Sequence, residues 1–177
     1  VFEGSTMIIN KICTEIFSKN DNKIAIIEGD IQLTYKELKV SIEKLSDYLI
    51  DRVQNKKYRV GIREMSPTGL LVSFYACQRA NLTPVAVPFK DTERVMGAIT
   101  EAKIGMFLHD PMRKFELEHV QQEIMAQPMN VLDEREALVL FTSGTTSRKL
   151  KGVKLSHSGI SSSCRYMNDL MEIDSNV

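Results

Sequence analysis

The sequence predicts an α/β fold in which a mostly parallel sheet is flanked by helices. Short β-rich runs alternate with segments of roughly 10 to 20 residues whose apolar positions recur at helical spacing. A hydrophobic content of 43% with 26% charged residues is typical of a globular protein. The 177 residues suffice for one ordinary domain and are short for two. The last residues, MEIDSNV, predict no closing element, which leaves an incomplete architecture open.

The first third of the chain predicts a helix, a hairpin and a second helix. Apolar residues over 8–18 follow helical spacing. The stretch KIAIIEGDIQLTY indicates two strands joined by a tight turn at residues 29–30. Thr34, with Glu37 three residues later, is the capping-box pattern that starts a helix. That helix is expected to run to about residue 55.

The middle of the chain predicts strands that alternate with helices. YRVGI at 58–62 is a strand, and Ser66 with the following proline starts a helix that ends near residue 81. PVAVP is the next strand, and Asp91 starts the helix TERVMGAITEAK. IGMFL follows as a strand, and a helix is expected over about 114–125.

The last third predicts two strands around a polar loop, then a helix. After the spacer QPMNVLDER, the continuous apolar run ALVLF predicts a strand that is buried on both faces. The loop carries TSGTTSRKLK and is followed by the strand GVKLS. Ser156 is expected to begin a helix towards Met171.

Composition excludes several classes of function. Lys and Arg together number 23, as do Asp and Glu, and this balance argues against a dedicated nucleic-acid binder. Cys13, Cys77 and Cys164 lie far apart, so they predict neither a disulfide framework nor a metal site, and reduced thiols favour a cytoplasmic protein. No apolar run approaches the roughly 18 residues of a membrane span. Residues 1–6, VFEGST, are expected to be a cloning remnant before a natural start.

The loop TSGTTSRKLKG has the chemistry of an anion site. Gly144 can adopt positive φ and leaves backbone N–H groups accessible, hydroxyls can donate hydrogen bonds, and Lys151 adds positive charge. A surface turn of the same composition is the alternative. The Walker motif GxxxxGK[ST] and the dinucleotide motif GxGxxG are both absent, and a strand rather than a helix is predicted next.

At this point a family resemblance can be stated. TSGTTSRKLKGVKLSH resembles the phosphate-binding loop of the adenylate-forming superfamily, which includes acyl-CoA synthetases, nonribosomal peptide adenylation domains and luciferases. LTYKEL at 33–38 and NLTPVAVPF at 81–89 are similar to earlier segments of that family, so the resemblance covers the chain from about residue 10 to its end. The residues that match the loop are Thr142, Ser143, Gly144, Thr145, Thr146, Lys151, Gly152, Val153, Ser156 and His157.

The resemblance implies a function and a set of binding residues. Residues 7–177 would be the N-terminal portion of an AMP-binding domain that uses ATP and Mg²⁺ to activate a carboxylic acid as acyl-AMP. The acyl group would then pass to CoA or to a carrier-protein thiol. The β- and γ-phosphates of ATP are assigned to Thr142 through Thr146, Lys151 and Gly152. His157 would lie beside the acyl or nucleotide pocket, or would pack locally as a helix-start residue.

Departures from the family pattern keep a second function open. Ser147 replaces the usual glycine, the loop is one residue longer, and Leu150 stands where the family has proline. The later catalytic motifs of the family do not occur in the 177 residues, so the chain alone is not expected to turn over. The alternative is a non-catalytic interaction or regulatory module on the same scaffold. An incomplete sheet would expose apolar surface and favour self-association.

Overall fold

The computed structural model describes most of the chain. The described residues are 15, 17, 18, 20–53, 58–63, 66–88, 91–109, 116–119, 136–142 and 150–171. The helix predicted over 8–18 therefore falls almost entirely outside the described residues.

Twelve elements follow one another in the described chain, and their order alternates strands and helices as the sequence predicts. They are β1 (Ile24–Glu28), β2 (Ile31–Thr34), α1 (Tyr35–Val53), β3 (Arg59–Arg63), α2 (Pro67–Arg79), β4 (Thr83–Ala86), α3 (Thr92–Ala102), β5 (Ile104–His109), β6 (Glu116–His119), β7 (Glu136–Thr142), β8 (Lys151–Ser156) and α4 (His157–Met171).

The main sheet has the strand order β6-β5-β3-β4-β7-β8. Strands β5, β3, β4 and β7 run parallel to one another, whereas β6 and β8 pair antiparallel at the two edges. The crossovers between the first three parallel strands in the chain, β3, β4 and β5, contain helices, as such connections require. The predicted α/β fold with a mostly parallel sheet is confirmed.

Helices cover both faces of this sheet. On one face α1 and α2 bury an apolar cluster against Val60, Met106 and Leu108 of the sheet. On the other face α3 packs onto a second cluster that includes Phe107 and Val139. Neighbours along β5 belong to opposite clusters because successive side chains of a strand point to opposite faces. The two cores therefore enclose β5 from both faces, and the second core also includes Val139 of β7.

The N-terminal hairpin and the capping box are as predicted. β1 and β2 pair antiparallel, and Gly29 adopts a φ of +58° in the turn between them. The Thr34 backbone N–H donates to Glu37 Oε2 at 2.8 Å, and the Glu37 N–H donates to Thr34 Oγ1 at 3.2 Å. Two donors at the start of α1 are thus paired within four residues of chain.

The helix expected over 114–125 is wrong where the structure describes it. Residues 116–119 form β6, which pairs antiparallel with β5 from Met106↔His119 to His109↔Glu116. The open edge of β5 offers a row of backbone donors and acceptors, and pairing with that edge outweighs the helical preference of the ELEH sequence.

The expectation that ALVLF is buried on both faces holds only for the first half of β7. Ala137 and Val139 are buried, whereas Leu140 is 38% exposed. This exposure fits the position of β7 next to the edge of the sheet, where only β8 lies beyond it. An apolar strand end is left accessible on one face.

Candidate functional site

The loop TSGTTSRKLK is the connection of a β-hairpin. β7 and β8 pair antiparallel from Glu136↔Ser156 to Thr142↔Lys151. Thr142 and Lys151 therefore lie directly opposite each other at the end of the ladder, and the loop emerges between them. The prediction of a strand on each side of the loop is confirmed.

The hairpin places this loop at the carboxyl edge of the parallel strands. Thr142 is the last residue of β7, just as Arg63 and Ala86 are the last residues of β3 and β4. Ligands of open α/β sheets bind outside this edge because the loops that follow the strands converge there. The end of β7 and the start of β8 therefore lie at the edge where open α/β sheets bind their ligands.

The structure describes three of the residues that the sequence predicts for the site. Thr142 and Lys151 are exposed, and Gly152 is half-buried. Ser143, Gly144, Thr145 and Thr146 lie outside the described residues, so their role stays a prediction.

The two faces of the hairpin differ in chemistry. Directly opposite residues share a face, so Thr142 and Lys151 point to the same side as the pair Leu140 and Val153. Gly152 faces the other side, where a Cβ at its position would lie 3.8 Å from Glu101 Cγ of α3. The Thr142 hydroxyl and the Lys151 ammonium lie on one face, and the other face is bordered by the Glu101 carboxylate and carries Lys154, whose ammonium lies 3.6 Å from Glu136 Oε2.

The side of α3 next to the hairpin is an acidic groove. A cavity of about 800 Å³ is lined by α3 residues and by Leu150, just before β8. Among the described residues its lining includes the acidic side chains of Asp91, Glu93 and Glu101 together with Arg94.

Two helix N-termini at the same edge are already occupied by groups of the chain itself. The Glu28 carboxylate accepts hydrogen bonds from the hydroxyl and the backbone N–H of Thr68, and these bonds lower the pKa of Glu28. Ser66 Oγ accepts from the Gly69 N–H of α2 at 3.0 Å, and Asp91 caps α3 in the same way. Side chains of the chain itself therefore occupy the positions where these two helix ends would otherwise bind an anion.

His157 lies at the far end of β8 from Lys151. Five strand residues separate the two, so six residue steps span about 20 Å. It is the first residue of α4, it is only 5% exposed, and Ser156 Oγ caps the helix by accepting from the Gly159 N–H at 3.1 Å. His157 therefore packs locally at the start of α4, and its place beside an acyl or nucleotide pocket stays a prediction.

Burial gives His157 a pH-dependent effect on stability. Burial lowers the pKa of His157 in the folded state, whereas its pKa in the unfolded state is about 6.5. The folded state therefore binds the proton less readily. The contribution of neutral His157 to stability is fully present above about pH 6.5. It is lost as the pH falls from that value through the pKa of His157 in the folded state. We expect the free energy of unfolding to decrease between about pH 7.5 and about pH 5.5, and the decrease to be smaller in His157→Gln.

Denaturant titrations at the two pH values measure this difference. Glu28 and Glu37 do not interfere, because their pKa values are lowered from 4.5 and their titration falls below this window. An identical pH dependence in wild type and His157→Gln would contradict the assignment.

The sequence analysis missed a buried ion pair at the opposite, amino edge of the sheet. Arg59 Nε lies 2.7 Å from Glu136 Oε1, and Arg59 Nη2 donates to Glu136 Oε2 at 2.8 Å. Arg59 Nη1 donates to the Ala102 carbonyl at 2.7 Å, and Lys154 Nζ lies 3.6 Å from Glu136 Oε2. The signal was an arginine inside an apolar β-run and a glutamate directly before the apolar strand ALVLF.

Comparison with known proteins identifies the family. The family model described as AMP-binding enzyme matches residues 14–176. The chain belongs to the AMP-binding enzyme family. This confirms the resemblance to the adenylate-forming superfamily that the loop suggests, and the hairpin is therefore part of an adenylate-forming enzyme domain.

Individual AMP-binding relatives agree in sequence and in fold. The chain is 28% identical over 185 residues to malpinin synthetase of Mortierella alpina, covering 92% of the chain and 2% of that protein. It is similar in fold to the o-succinylbenzoate CoA synthetase of Bacillus subtilis in complex with AMP, with a TM-score of 0.71, 17% identity, and coverage of 92% of this chain and 46% of that one. A four-domain nonribosomal peptide synthetase bound to AMP and glycine gives a TM-score of 0.70, 21% identity, and coverage of 93% and 13%. The chain thus spans less than half of these relatives.

Neither a membrane-spanning helix nor a metal-binding cluster occurs among the described residues. None of the described helices is long and apolar enough to cross a membrane. No three His, Cys, Asp or Glu side chains converge on one point in the described part of the chain.

Proposed function

We propose that residues 7–177 are the N-terminal portion of an ATP-dependent enzyme that activates a carboxylic acid as its acyl-adenylate. The acyl group then passes to a thiol, either of CoA or of a carrier protein. The carboxylic acid and the ATP are substrates, and pyrophosphate is the first product.

The position of the loop carries this proposal. A segment with the superfamily's phosphate-loop sequence leaves the carboxyl edge of the sheet between Thr142 and Lys151. The β- and γ-phosphates are assigned to the backbone N–H groups and hydroxyls from Thr142 to Thr146, and to Lys151 and Gly152. Thr142 and Lys151 share one face of the hairpin, and the Lys151 ammonium supplies a positive charge there for a polyanion.

The ligands of structural relatives fit an adenylation reaction. One is a synthetase with bound AMP, which has also been seen with an acyl-adenylate intermediate, and another holds AMP together with the amino acid glycine. Acid activation joins the carboxylate to the α-phosphate with loss of pyrophosphate, and AMP is released when the acyl group passes to the thiol. We therefore infer ATP as the nucleotide of this chain's parent enzyme.

Mg²⁺ is proposed to act through the phosphates. Mg²⁺ in nucleotide sites is usually held by substrate phosphates and waters with one or two carboxylates, so a dedicated cage in the protein is not required. When bound, it neutralises charge on the transferring phosphates. The protein's contribution from this chain is positioning: donors on a fixed hairpin hold the triphosphate while the carboxylate attacks the α-phosphorus.

A pyrophosphate-exchange assay tests the function. The extended protein, defined as the polypeptide read in the same frame past Val177, is incubated with ATP, labelled pyrophosphate and a panel of carboxylic and amino acids. We expect acid-dependent incorporation of label into ATP for at least one class of acid. The 177-residue chain alone serves as the control and is expected to be inactive.

A non-catalytic module is the second candidate, and the loop departures favour it. Ser147 in place of glycine, the additional residue and the absent proline alter the loop that would grip ATP. A natural stop directly after Val177, or an extended protein that exchanges no pyrophosphate with any acid, would support the module over the enzyme.

A further inference from the structure

Helix α3 lies against the beginning of β8 at two points, and at each point one partner is a glycine. A Cβ at Gly97 of α3 would lie 3.3 Å from Leu150 Cδ1, and a Cβ at Gly152 of β8 would lie 3.8 Å from Glu101 Cγ. Gly97 and Glu101 are separated by one helical turn, so they lie on one side of α3. Leu150 and Gly152 are next-but-one neighbours, as residues on one face of a strand are. The helix and the hairpin therefore meet along two matching rows of residues.

Leu150 is the apolar side chain of this contact. It is half-buried, and it packs against the apolar cluster that Val95 and Ile99 of α3 form with Val139 of β7. Carbon atoms attract each other best at about 3.5–4.0 Å, so an additional carbon on Gly97 would press on the leucine. Leu150 thus occupies space that the missing Cβ of Gly97 leaves on α3.

Lys151 lies between the two residues that meet α3. Leu150 precedes it, Gly152 follows it, and both lie against the helix. Because successive side chains of a strand point to opposite faces, Lys151 is directed to the other face, where it lies opposite Thr142. Lys151 itself is exposed, so the contacts of its two neighbours determine the direction of its side chain.

We propose that Leu150 is a positioning residue for the phosphate site. Its contact with Gly97 holds the beginning of β8 against α3 and thereby directs the Lys151 ammonium. This rests on the proposed function, which assigns Lys151 to the phosphates of ATP. Leu150 stands where the superfamily has proline, whose ring would restrict the backbone at this position. A leucine leaves φ free, so packing on α3 supplies the restriction instead.

The two ends of β8 are held in different ways. At the end next to the loop, Leu150 and Gly152 lie against α3. Further along the strand, Lys154 Nζ lies 3.6 Å from the buried carboxylate of Glu136. A substitution that removes the contact with α3 is therefore expected to release the loop end of β8 and to leave the remainder of the strand paired with β7.

Amide hydrogen exchange in the 177-residue chain tests the contact by itself. Leu150→Ala removes the side chain that meets α3, and Gly97→Val fills the space that this side chain occupies. Valine is no worse than glycine in a helix interior, and the groove that Leu150 lines can receive the displaced side chain, so Gly97→Val is expected to fold. We expect both variants to speed amide exchange roughly tenfold at the Thr142 end of the ladder.

Leu155→Ala is the matched control. Leu155 is half-buried on the same strand, but it pairs with Leu138, on the face opposite to that of Leu150 and nearer the other end of β8. Its truncation removes the same atoms and is expected to leave exchange at the Thr142 end unchanged. Leu150→Met nearly conserves the volume of the side chain and is expected to keep the exchange rates of the wild type.

The pyrophosphate-exchange assay on the extended protein separates positioning from a general loss of stability. We expect Leu150→Ala to raise the KM for ATP about tenfold, because a misplacement of about 1 Å can cost about a hundredfold in rate. The KM for the acid is expected to stay unchanged, and Leu155→Ala is expected to change neither KM. In a protein that already carries Lys151→Ala, Leu150→Ala is expected to cause no further rise, since it acts through Lys151.

Two outcomes would overturn the proposal. One is amide exchange at the Thr142 end that is the same in the wild type, in Leu150→Ala and in Gly97→Val. The other is a KM for ATP that Leu150→Ala leaves unchanged, or that Leu155→Ala raises equally. A wild-type extended protein without pyrophosphate exchange would reject the proposed function, while amide exchange would still decide whether Leu150 holds the hairpin to α3.

Discussion

Glu136→Ala is expected to lower the free energy of unfolding by about 3–5 kcal/mol, because it leaves the Arg59 guanidinium buried without its carboxylate. The side chains of Arg59 and Glu136 are 5% and 2% exposed, and two short contacts join them in a bidentate arrangement. The remaining partner of Arg59, the Ala102 carbonyl, cannot neutralise a full charge. A loss of this size is comparable with the whole stability of a marginal domain, about 5–15 kcal/mol.

Denaturant unfolding of the 177-residue chain measures this loss of stability. Two control variants are measured in the same way. Asp47→Ala breaks the exposed pair between Arg79 and Asp47, whose atoms are 3.7 Å apart, and it is expected to change stability by no more than about 1 kcal/mol. Replacing both buried partners, Arg59→Met with Glu136→Leu, is expected to restore most of the stability, because no charge then remains buried. A Glu136→Ala variant as stable as Asp47→Ala would contradict the role given to the buried pair.

Lys151→Ala combined with Thr145→Ala is expected to reduce the ATP-dependent kcat/KM of the extended protein strongly. A hydrogen bond to a charged group contributes about 1.5–3 kcal/mol. Because about 1.4 kcal/mol corresponds to a factor of ten, each residue is worth about ten- to a hundredfold. The two losses need not add, since both residues are assigned to the same phosphates.

Lys154→Ala is the matched control for this pair. Lys154 lies on the same strand as Lys151, but its position three residues further on places it on the opposite face, and its ammonium lies near Glu136. We expect its removal to leave the ATP-dependent rate unchanged. Equal ATP-dependent rates in the wild type and in the Lys151→Ala, Thr145→Ala double variant would show that these residues do not bind the phosphates.

Local patterns predicted the fold well, because the residues that decide them are close in the chain. Thr34 and Glu37 form the predicted cap, and Asp91 caps α3 by accepting from Arg94 N–H at 2.9 Å. The strands on both sides of the phosphate loop were found because each is a short apolar or alternating run. Their antiparallel pairing then places Thr142 opposite Lys151.

The features that the sequence did not predict depend on partners far away in the chain. β6 forms because the edge of β5 is open, a condition that the ELEH segment itself does not encode. Arg59 and Glu136 are 77 positions apart, and their pairing depends on the strand order β3-β4-β7. His157 is close to the loop motif in sequence, but the intervening strand carries it to the other end of the sheet.

The most direct test of the account is the structure of the extended protein with a non-hydrolysable ATP analogue and Mg²⁺. We predict that oxygens of the β- and γ-phosphates lie within hydrogen-bonding distance of backbone N–H groups and hydroxyls between Thr142 and Thr146, and that the Lys151 ammonium contacts a phosphate on the face away from α3. A nucleotide bound elsewhere, with this loop directed into solvent and no phosphorus atom near it, would contradict the account.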